Sequence, residues 1–257
     1  MDHPSATFLI ETCEESGSYD LPAYLDHCTP YLGNPDLVVV MDSGGPDYDH
    51  IWKTDALRGL IHGTLSVRVS KEGVHSGIAG GAIPSSFRIA RILLDRIEDS
   101  RTGKILIPSF HTEINDSHVK TAGAIAEVVG ESLWGSLPVV ETLEPHNTDT
   151  AQMLLDVNWR PALSVIGAGG LPPVESAGNV LRTHTDLALS LRIPPGVNSQ
   201  KAMVELTEIL ERDPPFGAEI KFEAHPPADG FRAPPLPPNV AEELERASSS
   251  LTGKPPH

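Results

Sequence analysis

Phe8-Leu9-Ile10-Glu11-Thr12-Cys13-Glu14-Glu15-Ser16-Gly17-Ser18 is a short apolar run that leads directly into two adjacent glutamates and a Gly/Ser turn. A second apolar run, Leu37-Val38-Val39-Val40-Met41, ends the same way on Asp42-Ser43-Gly44-Gly45. Between them, Tyr19 to Leu32 has helical spacing at Leu21, Tyr24, Leu25 and Cys28 and stops at Gly33-Asn34-Pro35. Strand, helix and strand of this length predict a βαβ unit, and unbroken Val/Leu/Ile runs are what parallel strands covered on both faces look like. The crevice of an open parallel sheet lies off the carboxyl ends of its strands, where both acidic clusters fall. Three carboxylates gathered there repel one another unless a cation lies between them, which points to a divalent metal. The plainer alternative is a pair of solvated turn acids beside a helix N-terminus, where negative charge is favoured in any case. Two strand ends carrying acids, not one, favour the metal.

The 257 residues are enough for one large or two modest domains, and 39% hydrophobic residues can supply a core. Nineteen Lys and Arg against 35 Asp and Glu give a net charge of −16. That balance argues against nucleic acid or an anionic membrane as partner. The two cysteines, Cys13 and Cys28, fit no zinc or redox spacing and read as buried thiols in a reducing, cytoplasmic setting. No apolar run approaches the ~20 residues of a membrane span.

Further along, Leu65, Val67 and Val69 alternate with Thr64, Ser66 and Arg68, which predicts a half-buried strand over 63–69. His75-Ser76-Gly77-Ile78-Ala79-Gly80-Gly81 is a glycine-rich loop. The helix after it is expected to face inward with Phe87, Ala90, Leu94 and Ile97 and outward with Arg88, Arg91, Asp95 and Arg96. Over 100–158 the periodicity is weak, with helices possible at 123–133 and 150–156. Ala162 to Gly167 predicts a strand, and Leu187, Leu189, Leu191 and Ile193 predict the clearest one. Ser199 is expected to cap a helix burying Ala202, Met203, Leu206, Ile209 and Leu210, and 218–224 closes with Ile220 and Phe222 inward.

Residues 59–225 thus read β-α-(insert)-β-β-α-β, the ferredoxin-like order of a four-stranded antiparallel sheet with two helices on one face. The alternation puts Arg192 on the other, open face. The expected organisation is α/β: a partial parallel-sheet domain at 1–58, a ferredoxin-like domain at 59–225 with an insert at about 100–158, and an incomplete return to the first domain at 226–257.

Glu14-Glu15-Ser16-Gly17-Ser18, Asp42-Ser43, Leu57-Arg58-Gly59 and His75-Ser76-Gly77 with Gly80-Gly81 resemble the co-catalytic di-zinc metallopeptidases: carnosinases and other dipeptidases, aminoacylases and carboxypeptidases. Trp159-Arg160-Pro161-Ala162-Leu163, Gly178-Asn179-Val180 and Leu191-Arg192-Ile193-Pro194-Pro195 follow in the same order. The resemblance implies hydrolysis of dipeptides or N-acyl amino acids by a water bridging two Zn²⁺ ions, with Mn²⁺ or Co²⁺ as alternatives. It makes Glu14 the general base, Glu15 a ligand of one metal and Asp42 of the other. His75 would stabilise the oxyanion in the partner's site of a homodimer formed through the lid domain. Arg192 would grip the substrate carboxylate, with Asn179 lining the same pocket. Read without the family, His75 is a turn-capping loop histidine and Arg192 an exposed strand arginine paired with an acid. The other ten histidines read as surface residues.

The family's sites also use a His-x-Asp motif ahead of the Glu-Glu pair and a histidine near the C-terminus. Here His3 is followed by Pro4-Ser5, and nothing after Arg192 resembles the late motif. Glu15 and Asp42 alone cannot hold two zincs. The expectation is therefore the middle and lid of such an enzyme, inactive by itself. The alternative is a non-catalytic dimerisation or binding module derived from one.

Overall fold

The computed structural model describes residues 5–257 apart from 43, 131 and 136. His3 and Pro4, Ser43 of the second acidic motif and Glu131 of the expected 123–133 helix therefore lie outside the described residues. Two compact units divide the chain, 1–44 and 45–257.

In the first unit, helix α1 (Leu21–Leu32) starts with proline in its first turn and ends at Gly33. A 3-10 turn over Glu14–Ser16 closes on Gly17 in the left-handed region, φ 98°. The two flanking apolar runs do not form hydrogen-bonded strands, which corrects the expected parallel pair. Val38, Val39 and Val40 are each about 70–80% exposed, as are Phe8 and Ile10 at 82% and 86%. A parallel pair is stable only with both faces covered, and these runs are uncovered. Cys13 is exposed and Cys28 half-buried, so neither is the packed thiol that its surroundings predict.

The second unit begins with β1 (Ala56–Leu57), β2 (Gly59–Arg68), β3 (Val74–His75), the single turn α2 (Ser76–Ala79) and α3 (Ser86–Leu94). The insert supplies α4 (Asp116–Val129), α5 (Ser132–Gly135) and α6 (Thr150–Trp159). Then come β4 (Ala162–Gly169), β5 (Val180–Leu181), β6 (His184–Ile193), α7 (Ser199–Glu211), β7 (Glu219–Ala224), β8 (Phe231–Arg232) and α8 (Pro238–Thr252). The main sheet has the order β4-β6-β2-β7 with every pair antiparallel, which is the ferredoxin-like arrangement.

Alternation decides which face is buried. Ile61, Leu65 and Val67 of β2, Leu187, Leu189, Leu191 and Ile193 of β6 and Phe222 of β7 pack against Ile89, Ala90 and Leu93 of α3 and Ala202, Leu206 and Leu210 of α7. Gly63 makes room for this layer, since a Cβ there would lie 2.7 Å from the Phe222 ring. Between α3 and β6 the hydroxyls of Ser86 and Thr185 meet at 2.8 Å in full burial.

Three local expectations need correcting. Ala90 and Ile97 are fully buried and Leu94 packs against the core as expected, but Ile89 and Leu93 complete the buried stripe of α3 and Phe87 is 45% exposed. Arg96 does not point outward into water: its guanidinium donates to the carbonyls of Ile209, Arg212 and Asp213, closing the C-terminal end of α7. Asn198, not Ser199, caps α7, its side chain accepting from the Lys201 N–H at 2.9 Å.

The insert is ordered by capping and stacking more than by periodicity. Asn115 caps α4 and the His118 side chain returns the favour to the Asn115 N–H, a reciprocal capping box. His118 is 93% buried, contrary to its reading as a surface residue, and stacks on Trp159 of α6 with ring centroids 3.7 Å apart. Arg232 lies 5.5 Å from the same indole. Burial, then the charge of Arg232, hold the His118 pKa below its ordinary value against the pull of Asp55. The unfolded chain therefore takes up this proton below about pH 6.5 while the folded chain resists it, so stability is full above that pH and is lost as pH falls. A falling melting temperature between pH 7 and 5, with a shallower slope in His118→Phe, is the expected result by calorimetry.

Candidate active site

The first 44 residues contain Glu11, Glu14, Glu15, Asp42 and four further acids, but not one Lys or Arg. The 3-10 turn sets Glu14 and Glu15 side by side, both exposed. The charge of Asp42 is the largest cause raising the Glu14 pKa, followed by Glu15, burial and Glu11. Glu14 therefore lies among three like charges. A carboxyl in that position holds a proton more readily than usual. Sequence reasoning missed Glu11, whose Oε1 is buried without a hydrogen-bond partner. Its position two residues after the apolar Leu9, in the middle of an apolar-to-acidic transition, was the available signal.

The donor set does not fit a complete metal pair. Among the described residues there is no group of three or more His, Cys, Asp or Glu that could hold a metal ion. Glu15 and Asp42 carry carboxylates, but among the described residues they are not part of any such group.

In the second unit the structure brings two expected residues together. β3 pairs with β5, His75 opposite Val180, and the Asn179 carbonyl accepts from the Ser76 N–H at 2.9 Å. His75 caps the turn α2, its Nδ1 accepting from the Gly77 N–H at 3.1 Å. The capping role and a chemical one are thus compatible: with Nδ1 as acceptor the ring proton sits on Nε2, a free donor on an exposed side chain. The glycines around it have a steric cause. A Cβ on Gly77 would lie 3.1 Å from the His75 ring, and one on Gly80 would lie 2.5 Å from the Ser76 carbonyl oxygen.

Arg192 is exposed on the open face of β6, opposite Leu60 of β2 on one side and Ala162 of β4 on the other. His75 and Asn179 belong to the end of the sheet where β6 begins, since β5 precedes His184 by only two residues. From His184 to Arg192 the strand covers roughly 25 Å at ~3.3 Å per residue. Within one chain, then, Asn179 accompanies His75, and Arg192 stands at the far end of the sheet.

Sheet edges differ in chemistry. β7 carries Glu219, Lys221 and Glu223, whereas β4, Ala-Leu-Ser-Val-Ile-Gly-Ala-Gly, is uncharged, with Val165 47% and Ile166 66% exposed.

No helix of the structure is long and apolar enough to cross a membrane. No curated protein matches the sequence significantly. Among solved structures, the chain is similar to human carnosine dipeptidase 1 (20% identity, TM-score 0.76, covering 95% of this chain and 51% of that one). It is also similar to the dipeptidase Dug1p of Saccharomyces cerevisiae (19% identity, TM-score 0.71, 96% and 52%). A third is the M20 family metallo-carboxypeptidase Sso-CP2 of Sulfolobus solfataricus (15% identity, TM-score 0.62, 94% and 54%). The chain thus spans about half the length of these solved relatives. Residues 56–218 match the family model of the peptidase dimerisation domain. With that domain covering most of its length, the chain belongs to the M20 family of peptidases.

Proposed function

We propose that this chain carries the base and the substrate-gripping lid of a zinc-dependent amide hydrolase of dipeptidase type, acting on dipeptides or N-acyl amino acids. The observation that carries the reading is the convergence of Asp42, Glu15 and Glu11 on Glu14 in a segment without a single Lys or Arg. Such repulsion is relieved by cations, and divalent ions are the family's own solution. Glu14 takes the proton of the attacking water. Arg192 holds the carboxylate of the substrate, and the Nε2–H of His75 donates to the carbonyl oxygen as charge builds there. Glu15 and Asp42 serve as metal ligands, one for each ion, and the rest of the donor set is not among the described residues. Asn179 supports the turn that presents His75. The chain acts as a homodimer through the lid domain, with residues 59–225 as lid and the segments on either side as parts of the catalytic domain.

The incomplete donor set favours a second reading, a dimerisation or binding module without turnover. One experiment separates the two. Alone, the purified chain is expected to hydrolyse no dipeptide with added Zn²⁺, Mn²⁺ or Co²⁺. Spliced in place of the corresponding half of an active dipeptidase of the same family, it is expected to support turnover that Glu14→Gln reduces by about 10²-fold or more. A folded, metal-loaded chimera that hydrolyses nothing would leave the binding module as the surviving reading.

A further inference from the structure

We propose that Arg58 is a second specificity-determining arginine, forming with Arg192 a clamp of two guanidinium groups for the carboxylate of the bound peptide. The proposal rests on the reading of Arg192 given above and adds a residue to it.

In the sheet order, β6 lies between β2 and β4. Arg58 is rooted one residue before β2, yet its Nη1 donates to the carbonyl of Arg160, two residues before β4 begins, at 3.3 Å. Alternate strands of a sheet are roughly 9–10 Å apart, so the Arg58 side chain must cross the whole width of β6 to make that bond. The crossing point follows from the pairing. Leu60 of β2 and Ala162 of β4 both face Arg192, and Gly59 faces Ile193. Arg58 has the parity of Leu60, opposite to that of the buried Ile61, so it crosses on the open face, at the Arg192 end.

Two guanidinium groups consequently share one small area. Burial and the charge of Arg192 hold the Arg58 pKa below the usual arginine value. Arg160, the third arginine at this end, is already paired with Asp156 at 3.0 Å. No carboxylate pairs with Arg58 or Arg192 among the described residues, in a protein with 35 acids to choose from. An anion bound between the two would remove their repulsion. Arg58 is anchored by its bond to Arg160 and keeps most of its five donors free, so it loses little freedom on binding. The two planar forks can engage both oxygens of a single carboxylate. The ligand class is a short peptide or N-acyl amino acid with a free carboxylate, and its amide is rejected.

Titrating the full chain with N-acetylalanine and with N-acetylalaninamide, while following arginine Nε–H signals by ¹⁵N NMR, tests this without metal or turnover. The signals of both Arg58 and Arg192 are expected to move with the acid and not with the amide. Arg58→Gln is expected to weaken acid binding by about tenfold or more. Arg58→Lys, which keeps the charge but not the fork, is expected to fall between, and it decides the matter if Arg58→Gln does not fold. Movement of Arg192 alone, or unchanged acid affinity in the Arg58 variants, overturns the proposal. Because binding is read directly, an inactive chimera would leave the clamp standing, and an active chimera without a response at Arg58 would remove the clamp alone.

Discussion

Mixing a His75→Ala chain with an Arg192→Ala chain, each in the active chimera and each inactive alone, is expected to restore hydrolysis. The reason is the distance between the two residues. They stand at opposite ends of β6, roughly 25 Å apart along the strand, too far for one small substrate to touch both in one subunit. If both serve one reaction, they come from different copies. In a mixed dimer, the site served by the intact Arg192 also receives the intact His75 of the other copy, while the second site lacks both. With random exchange half the dimers are mixed, so about a quarter of the wild-type rate should return, given closed two-fold symmetry. Each single variant should lose about 10²–10³-fold, the size of effect seen when one oxyanion donor or one substrate anchor is removed. Rates that stay additive on mixing would mean that each subunit works by itself, and the trans role of His75 would be lost.

Ile166→Lys is expected to convert the proposed homodimer to a monomer with little effect on folding. Long, uncharged edge strands invite pairing, and charged residues on an edge prevent it. β7 is protected by Glu219, Lys221 and Glu223, whereas β4 offers eight residues without a charge. Joining two copies along β4 would extend each four-stranded sheet into one of twice the width. Ile166 is 66% exposed at the bulge between Val165 and Gly167, so lysine there adds charge to the edge without opening the core. Sedimentation should show at least about a hundredfold weaker association, whereas Glu223→Lys on the other edge should leave the dimer intact. A variant that remains dimeric would place the interface elsewhere on the lid.

The parts of the fold that could be read in the sequence are those where one face is buried and the other is wet. β6 alternates without a break from Thr185 to Ile193, and α7 buries Ala202, Leu206 and Leu210 at helical spacing. Each position there answers to a single constraint. Elsewhere two constraints compete. The α4 and α6 helices meet at a His118–Trp159 stack, and their apolar stripes are weak while their caps at Asn115 and Asp149 are strong. Arg96 has the spacing of a solvated residue, and only the nearness of α7, more than a hundred positions away, gives it partners. The apolar runs before the two acidic clusters have the composition of strands, but a strand exists only with neighbours, and composition does not supply them. At the candidate site, Glu14, Glu15 and Asp42 could be nominated from the sequence because acids recur after apolar runs, and the roles given to them are proposals. Glu11 left only the faint signal of an acid inside an apolar run, and Arg58 left none, since the cross-strand reach proposed for it is defined by register alone.

β1 and β8 are two residues long each, yet they join positions 56 and 232, and Leu60 bridges to Ala228 beside them. Everything between therefore leaves and comes back through one doorway. A stretch whose two ends already touch can be lifted out of one host chain and set into another with almost no cost in closing a loop.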